Sequence, residues 1–323
     1  MTPIWRSVLN RPSIGIDDNF FRIGGSVVSA DLLFAQIAQK LGRELPSATI
    51  FQAPTIATLA SLLDQPELPR FSPFVQLKAG GQKTPIIIAP GLDGRASFSG
   101  LAKRIQTDHP IYGIQAKGVD GIEEPLDRIE DMAQFYLDAL NELQPDGPYI
   151  LIGYSFGGLV ALEMAQRLSE QKKDIQLLVL IDAYPHPRYL SAGQRLRLSG
   201  QRTKSHLLAM KARTIRGAIS YLSDELERRL RGTRVPEASP LSLAQTTSRV
   251  KRKAYVALEN YRPRPYSGKI EFVKSETHTY FPADPFPVWA HLAAAFEVET
   301  VRGVIWTWLR PTSKPLPLCL HAM

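Results

Sequence analysis

The chain of 323 residues has a single cysteine, Cys319. One thiol cannot close an internal disulfide, and a zinc site would need several histidine or carboxylate ligands beside it. A reducing setting is expected. Long apolar runs are also missing: stretches such as 177–181 fall far short of the roughly 20 residues a membrane span needs. Arg6 interrupts the opening segment before any apolar run develops, so no signal peptide is read and a cytoplasmic location with no membrane partner is expected. No internal repeat is visible. What is present is globular in kind: 44% hydrophobic, 22% charged and 9% aromatic residues, which excludes a disordered or low-complexity chain. The length suits one ordinary domain with a satellite, or two domains.

The net charge of +8 is concentrated in one place. Residues 188–264 hold 18 Lys/Arg against 5 Asp/Glu, a local balance of +13 that leaves −5 for the rest. Residues 1–65 carry five charges of each sign. A cationic segment in an otherwise mildly acidic chain fits a solvated helical surface, a phosphorylated ligand or nucleic acid. Nucleic acid is set aside, because no recognition motif and no aromatic interleaving of a basic strand surface accompanies the charge.

Residues 1–65 read as short helices at 4–9, 30–41 and 56–63, separated by proline and Gly-Gly breaks. Leu33, Ile37 and Leu41 recur every four residues, as a helix with one buried face requires. The stretch 65–74 has three prolines in ten residues and reads as a linker, placed at 66–74. Beyond it, aliphatic runs at 86–88, 111–114, 149–152, 177–181, 270–273 and 298–301 alternate with helix-period segments such as 129–143 and 159–168. That alternation predicts a mostly parallel sheet covered by helices. The basic insertion between the fourth and fifth runs keeps helical spacing through Leu208, Ile215, Ile219, Leu222, Leu226 and Leu230.

Gly153-Tyr154-Ser155-Phe156-Gly157-Gly158 stands between the strand-like 149–152 and the helix-like 159–165. A strand-to-helix turn this sharp admits only small residues two positions either side of the serine, and it lifts the Ser155 hydroxyl above the sheet edge. There the N–H of Phe156 and the helix dipole can stabilise an oxyanion. The bland alternative is a glycine-rich turn whose serine merely caps the helix. A serine nucleophile also needs a base and a group to orient it. Asp182 ends the run 177–181, one strand–helix unit later, and is the expected orienting acid rather than a turn cap. Leu92, in Ala89-Pro90-Gly91-Leu92-Asp93-Gly94, is the expected second oxyanion donor.

The base is harder to place. The histidines are His109, His186, His206, His278, His291 and His321, and the fold logic asks for one in the loop after the last strand. That loop, Arg302-Gly303-Val304-Ile305-Trp306-Thr307-Trp308, contains none. His278 follows the preceding strand and His321 lies in the tail.

With these motifs in hand, the chain resembles a known pairing over nearly its whole length. Residues 1–65 resemble the carrier domains of nonribosomal peptide synthetases, in Ile4-Trp5, Val8-Leu9, Asp17-Asp18-Asn19-Phe20-Phe21, Gly24-Gly25 and Ile50-Phe51-Gln52-Ala53-Pro54-Thr55. Residues 75–323 resemble the type I thioesterase domain that follows such carriers, in His109-Pro110-Ile111-Tyr112-Gly113-Ile114-Gln115-Ala116, Gln144-Pro145, Gly147-Pro148-Tyr149 and the serine motif. The resemblance implies an α/β-hydrolase sheet with a helical lid insertion, about 186–265, preceded by a small all-α carrier-like helical bundle. It implies release of an acyl or peptidyl chain from a 4'-phosphopantetheine thioester, by hydrolysis or cyclisation, with a carrier protein or upstream synthetase module as partner. Lys/Arg of the lid would then meet the phosphate of the arriving arm or an acidic carrier.

Two positions depart from the family. The serine that carries phosphopantetheine stands two residues after the Gly-Gly pair, and here that slot is Val27, which has no hydroxyl. Ser26 is adjacent and is the alternative attachment residue, although one step along a helix turns a side chain by about 100°. In the loop after the last strand, Ile305 occupies the family's histidine slot. Residues 303–314 can be encoded by bases that, read from the last base of the Gly303 codon, spell Gly-His-Leu-Asp-Met-Val-Lys-Thr-His-Val-Lys. A local frame change would therefore account for the lost motif. The expectation is hydrolase architecture with impaired catalysis; the rival is a catalytically inactive carrier-docking or acyl-binding protein.

Overall fold

The computed structural model describes residues 1–65, 72–95, 98–102, 105–193, 195–196, 243–276 and 284–301. Its first part is a helical bundle of α1 (Thr2–Leu9), α2 (Val27–Leu41), α3 (Thr49–Gln52) and α4 (Ile56–Leu63). Helices α2 and α4 start where serine and threonine can cap them. Ser26 and Ser29, and likewise Thr55 and Thr58, satisfy each other's backbone N–H groups in reciprocal capping boxes. Serine capping starts α2 three residues before the helix read from periodicity alone. Trp5, Phe20, Leu33, Ile37, Ile50 and Leu59 fill the bundle core and have no exposed surface. Leu41, expected on the same face as Leu33 and Ile37, is 46% exposed. A step of four residues overshoots one helical turn by about 40°, so two steps carry Leu41 off the buried face. The core stripe runs instead through Ala30, Leu33, Phe34 and Ile37.

The second part is a seven-stranded sheet, in the order β1-β3-β2-β4-β5-β6-β7. Its strands are β1 (Phe74–Lys78), β2 (Ile86–Ala89), β3 (Ile111–Ile114), β4 (Tyr149–Tyr154), β5 (Ile175–Ile181), β6 (Tyr266–Ser275) and β7 (Ala293–Val301). Only β1 is antiparallel to its neighbour. Its sequence carries no strand signal, and its first residue, Phe74, is the last of the expected linker. As an edge strand it leaves Gln76 exposed and lacks the all-buried aliphatic run that marks β2 and the middle of β4.

Two long helices, α6 (Ile129–Leu143) and α7 (Phe156–Glu170), pack against the sheet together with the short α5 (Ser99–Ala102). One apolar cluster joins α6 and α7 to alternate residues of the sheet, such as Leu151, Leu178 and Phe272. The opposite face, with Ile86, Ile88, Ile150 and Ile152, packs on Phe98, Leu101 and Ile105. Each fully buried Leu or Ile contributes roughly 1.5–3 kcal/mol by leaving water.

Between β5 and β6 stand a 3-10 turn (Pro187–Tyr189) and α8 (Leu243–Asn260); α9 (Phe286–Trp289) precedes β7. The helical spacing from Leu208 to Leu230 lies outside the described residues. Part of the basic segment is neutralised within the chain: Arg249 pairs with Glu124, Lys253 with Asp127 at 2.8 Å, and Arg264 with Glu163 and Glu170. Among the described residues no helix is long and apolar enough to cross a membrane, and no cluster of His, Cys, Asp and Glu could hold a metal ion.

Candidate active site

Strand β4 ends at Tyr154 and α7 begins at Phe156, so Ser155 alone makes the turn. Its backbone has φ 53° and ψ −118°, a region L-residues rarely occupy. The turn is held by the Ser155 amide, which donates to the carbonyl of Ile181 at 2.8 Å. Ser155 stands at the N-cap position of α7, but its hydroxyl makes no capping hydrogen bond to the helix. Close packing explains the flanking glycines. A Cβ on Gly157 would lie 2.7 Å from the carbonyl oxygen of Pro90, and one on Gly158 would lie 2.3 Å from Cβ of Ala183. Both contacts are too short to exist, so helix α7 can sit this close to its neighbours only with glycine there.

The same approach of α7 to the turn after β2 brings the two expected oxyanion donors onto adjacent segments. Phe156 opens α7, and Leu92 lies in the 91–94 turn that the Gly94 amide closes onto the carbonyl of Gly91 at 2.9 Å. A cleft beside them is lined by Gly91, Gly94, Ala116, Phe156 and Val250. Val250 comes from α8, which therefore forms one wall.

Asp182 lies directly beyond the end of β5. Tyr154 and Ile181 are paired in register, so the next residues, Ser155 and Asp182, leave neighbouring strands at the same edge. Asp182 also has positive φ, 41°, and is 3% exposed. Burying a carboxylate is costly unless its oxygens are satisfied. Ser275, at the end of β6, supplies one partner to each oxygen: its amide donates to Oδ1 at 3.1 Å and its hydroxyl to Oδ2 at 2.8 Å. Ser275 was missed in the sequence, because nothing in it gives the register of β6 against β5. The Asp182 charge reaches two tyrosines. Burial and then that charge push the Tyr154 hydroxyl up to about 12, and raise Tyr184 further above the usual tyrosine range.

The described histidines serve elsewhere. His109 is buried ahead of β3, at the opposite edge of the sheet, with Nδ1 2.6 Å from the carbonyl oxygen of Thr84. His291 is exposed before β7, also away from the serine edge. His186 accepts from the Arg188 amide at 3.3 Å and starts the 3-10 turn. Among the described residues, no histidine ring is hydrogen-bonded to Ser155. His206, His278, His321 and the loop around Ile305 lie outside them.

In the helical bundle, position 27 is the first residue of α2 and Ser26 is its N-cap. The Ser26 hydroxyl accepts from the Ser29 amide at 3.1 Å and lies 3.1 Å from the Ser29 hydroxyl.

Comparison with known proteins identifies both parts. The "Thioesterase domain" family profile matches residues 84–310, and the "Phosphopantetheine attachment site" profile matches residues 2–63. A dimodular nonribosomal peptide synthase of Bacillus subtilis is 38% identical over 185 residues, 57% of this chain and 8% of that protein. Malpibaldin synthetase of Mortierella alpina is 28% identical over 308 residues, 93% of this chain and 5% of that protein. The chain thus spans less than a tenth of either relative. Among solved structures, a four-domain nonribosomal peptide synthetase bound to AMP and glycine shares the fold over 95% of this chain and 24% of its own. The TM-score is 0.56 and the identity 20%. The Vlm2 thioesterase domain bound with a dodecadepsipeptide matches 74% of this chain and 92% of its own, with TM-score 0.50 and 23% identity. With its profile covering most of the length, the chain belongs to the thioesterase domain family, and a phosphopantetheine-attachment unit of the nonribosomal peptide synthetase kind precedes that domain.

Proposed function

We propose that this chain is a chain-release thioesterase of the serine type whose own carrier unit, about residues 1–65 ahead of a 66–74 linker, does not deliver its substrate. A single observation supports the chemistry best: Ser155 is held at φ 53° at the mouth of the sheet, one strand from the buried Asp182. In this reading the Ser155 hydroxyl attacks the carbonyl of an acyl or peptidyl thioester. The N–H groups of Leu92 and Phe156 hold the oxyanion, and the thiol leaves as the acyl-serine forms. Water or a nucleophile within the acyl chain then clears the acyl-serine. Asp182 would orient the base that takes the serine proton. With Ile305 in the histidine slot, that base is absent from its family position, and the rate falls toward the oxyanion-hole level, roughly 10³-fold over water.

The attachment-site profile implies 4'-phosphopantetheine, and the residues present do not fit it. Valine at position 27 offers no hydroxyl, and the Ser26 hydroxyl is committed to capping α2. The thioester substrate therefore comes from a separate carrier, within a larger synthetase or on another chain. Assay of the purified protein on an acyl thioester and a p-nitrophenyl ester tests the reading. Slow hydrolysis abolished by Ser155→Ala supports it; hydrolysis unchanged by that substitution overturns it, and turnover at ordinary enzyme rates shows that another group serves as base. The codons for 303–314 test the frame change separately, because only a few codon choices spell the histidine motif in the shifted frame.

A further inference from the structure

Among the described residues, the helical bundle touches the sheet part at the start of α8 and beside the turn that carries Leu92. At the first, Leu243, the first residue of α8, is 1% exposed and belongs to the apolar cluster formed by Trp5, Phe20, Leu33 and Ile37 of the bundle. Its backbone N–H, one of the orphan donors at a helix start, donates to Oδ1 of Asp31 at 2.9 Å. Asp31 lies on α2, one helical turn after position 27. A carboxylate there also meets the positive end of the α8 dipole. The second contact is at the candidate oxyanion loop. Arg95 lies 5.5 Å from the ring centroid of Phe51 in α3, while its guanidinium is paired with Asp93 at 2.8 Å.

Helix α8 is fixed further along as well. Val250 packs with Ala116 and Val119, and Arg249 and Lys253 pair with Glu124 and Asp127. The bundle therefore grips the start of the helix that walls the cleft, and also touches the loop that follows Leu92. A carrier that shuttles has to leave such contacts. One with no hydroxyl in its attachment slot has no cargo to move.

We propose that the carrier-like bundle is a fixed clamp for helix α8: Asp31 caps α8 from another part of the chain, and Leu243 is its anchor in the bundle core. Asp31 is a positioning residue for α8, and the assignment holds whether or not Ser155 turns over an ester.

Amide hydrogen exchange on the full-length chain tests the clamp, comparing wild type with Asp31→Ala, Asp31→Asn and Leu243→Ser. Removing the cap by Asp31→Ala is expected to speed exchange in residues 243–250 about tenfold, with α2 to α4 still protected. Asp31→Asn keeps an acceptor oxygen and should stay within about twofold of wild type. Leu243→Ser should speed exchange in residues 27–41, although it lies 212 positions from Asp31. The proposal fails if Asp31→Ala and Leu243→Ser both leave these segments within about twofold of wild type. It also fails if Asp31→Ala speeds exchange across 2–63 and not at 243–250, for then Asp31 serves only the bundle itself.

Discussion

Ser275 satisfies both oxygens of the Asp182 carboxylate, with its amide 3.1 Å from Oδ1 and its hydroxyl 2.8 Å from Oδ2. Both residues are 3% exposed and lie beyond or at the ends of adjacent parallel strands. Removing the hydroxyl while keeping the amide weakens the support of a buried charge without changing the backbone. Ser275→Ala should therefore destabilise the fold by about 1–3 kcal/mol, read from urea unfolding. Ser275→Thr, which keeps the hydroxyl, should lose less.

The turn at Ser155 depends on close approach between α7 and its neighbours. Gly158→Ala would put a methyl 2.3 Å from Cβ of Ala183, and neither atom belongs to a flexible side chain. A loss of about 1–3 kcal/mol is expected from this overpacking, with any esterase activity falling alongside it as the serine turn shifts. Calorimetry together with the ester assay checks both parts.

Alkaline pH should unfold the protein. The hydroxyls of the buried Tyr136, Tyr184 and Tyr261 and of the half-buried Tyr154 are all raised above the usual value of 10.0, burial being the largest cause for each. For Tyr261 the Glu163 carboxylate, 3.0 Å away, adds to that rise. In the unfolded chain these tyrosines ionise near pH 10, while the folded chain keeps their protons. The unfolded state then binds fewer protons, so stability falls as pH rises. The loss should begin near pH 10 and reach roughly 1.4 kcal/mol per pH unit for each tyrosine involved, until each folded-state value is passed. Denaturant midpoints between pH 8 and 11 measure it; a flat profile would contradict the tyrosine environments.

Loading is the test of the attachment slot. Incubation with coenzyme A and a phosphopantetheinyl transferase should leave the mass of the chain unchanged, since position 27 is valine and Ser26 caps α2. Val27→Ser should gain one phosphopantetheine by mass spectrometry. A mass gain in the wild type, lost in Ser26→Ala, would overturn the misfit.

Much of the fold was legible because its signals are local. Aliphatic runs bounded by turns marked β2 to β7, and α4 and α6 have the bounds that their periodicity gave. The serine turn was legible for the same reason: its glycines, strand and helix are contiguous in the chain. Helix starts were less so, since α2 begins where Ser26 and Ser29 cap each other, and periodicity does not register a cap. The edge strand β1 escaped because it carries no buried run.

The sequence by itself determined the serine turn, the carboxylate at the end of β5 and the absence of a hydroxyl at position 27, since each is a matter of residue identity within a few positions. Only the tertiary structure decided that Ser275 holds Asp182, and that Asp31 caps a helix 212 positions away. Those pairings depend on strand register and on the docking of one packed unit against another. Both are settled by the burial of surfaces far apart in the chain, and no local pattern of residues encodes them.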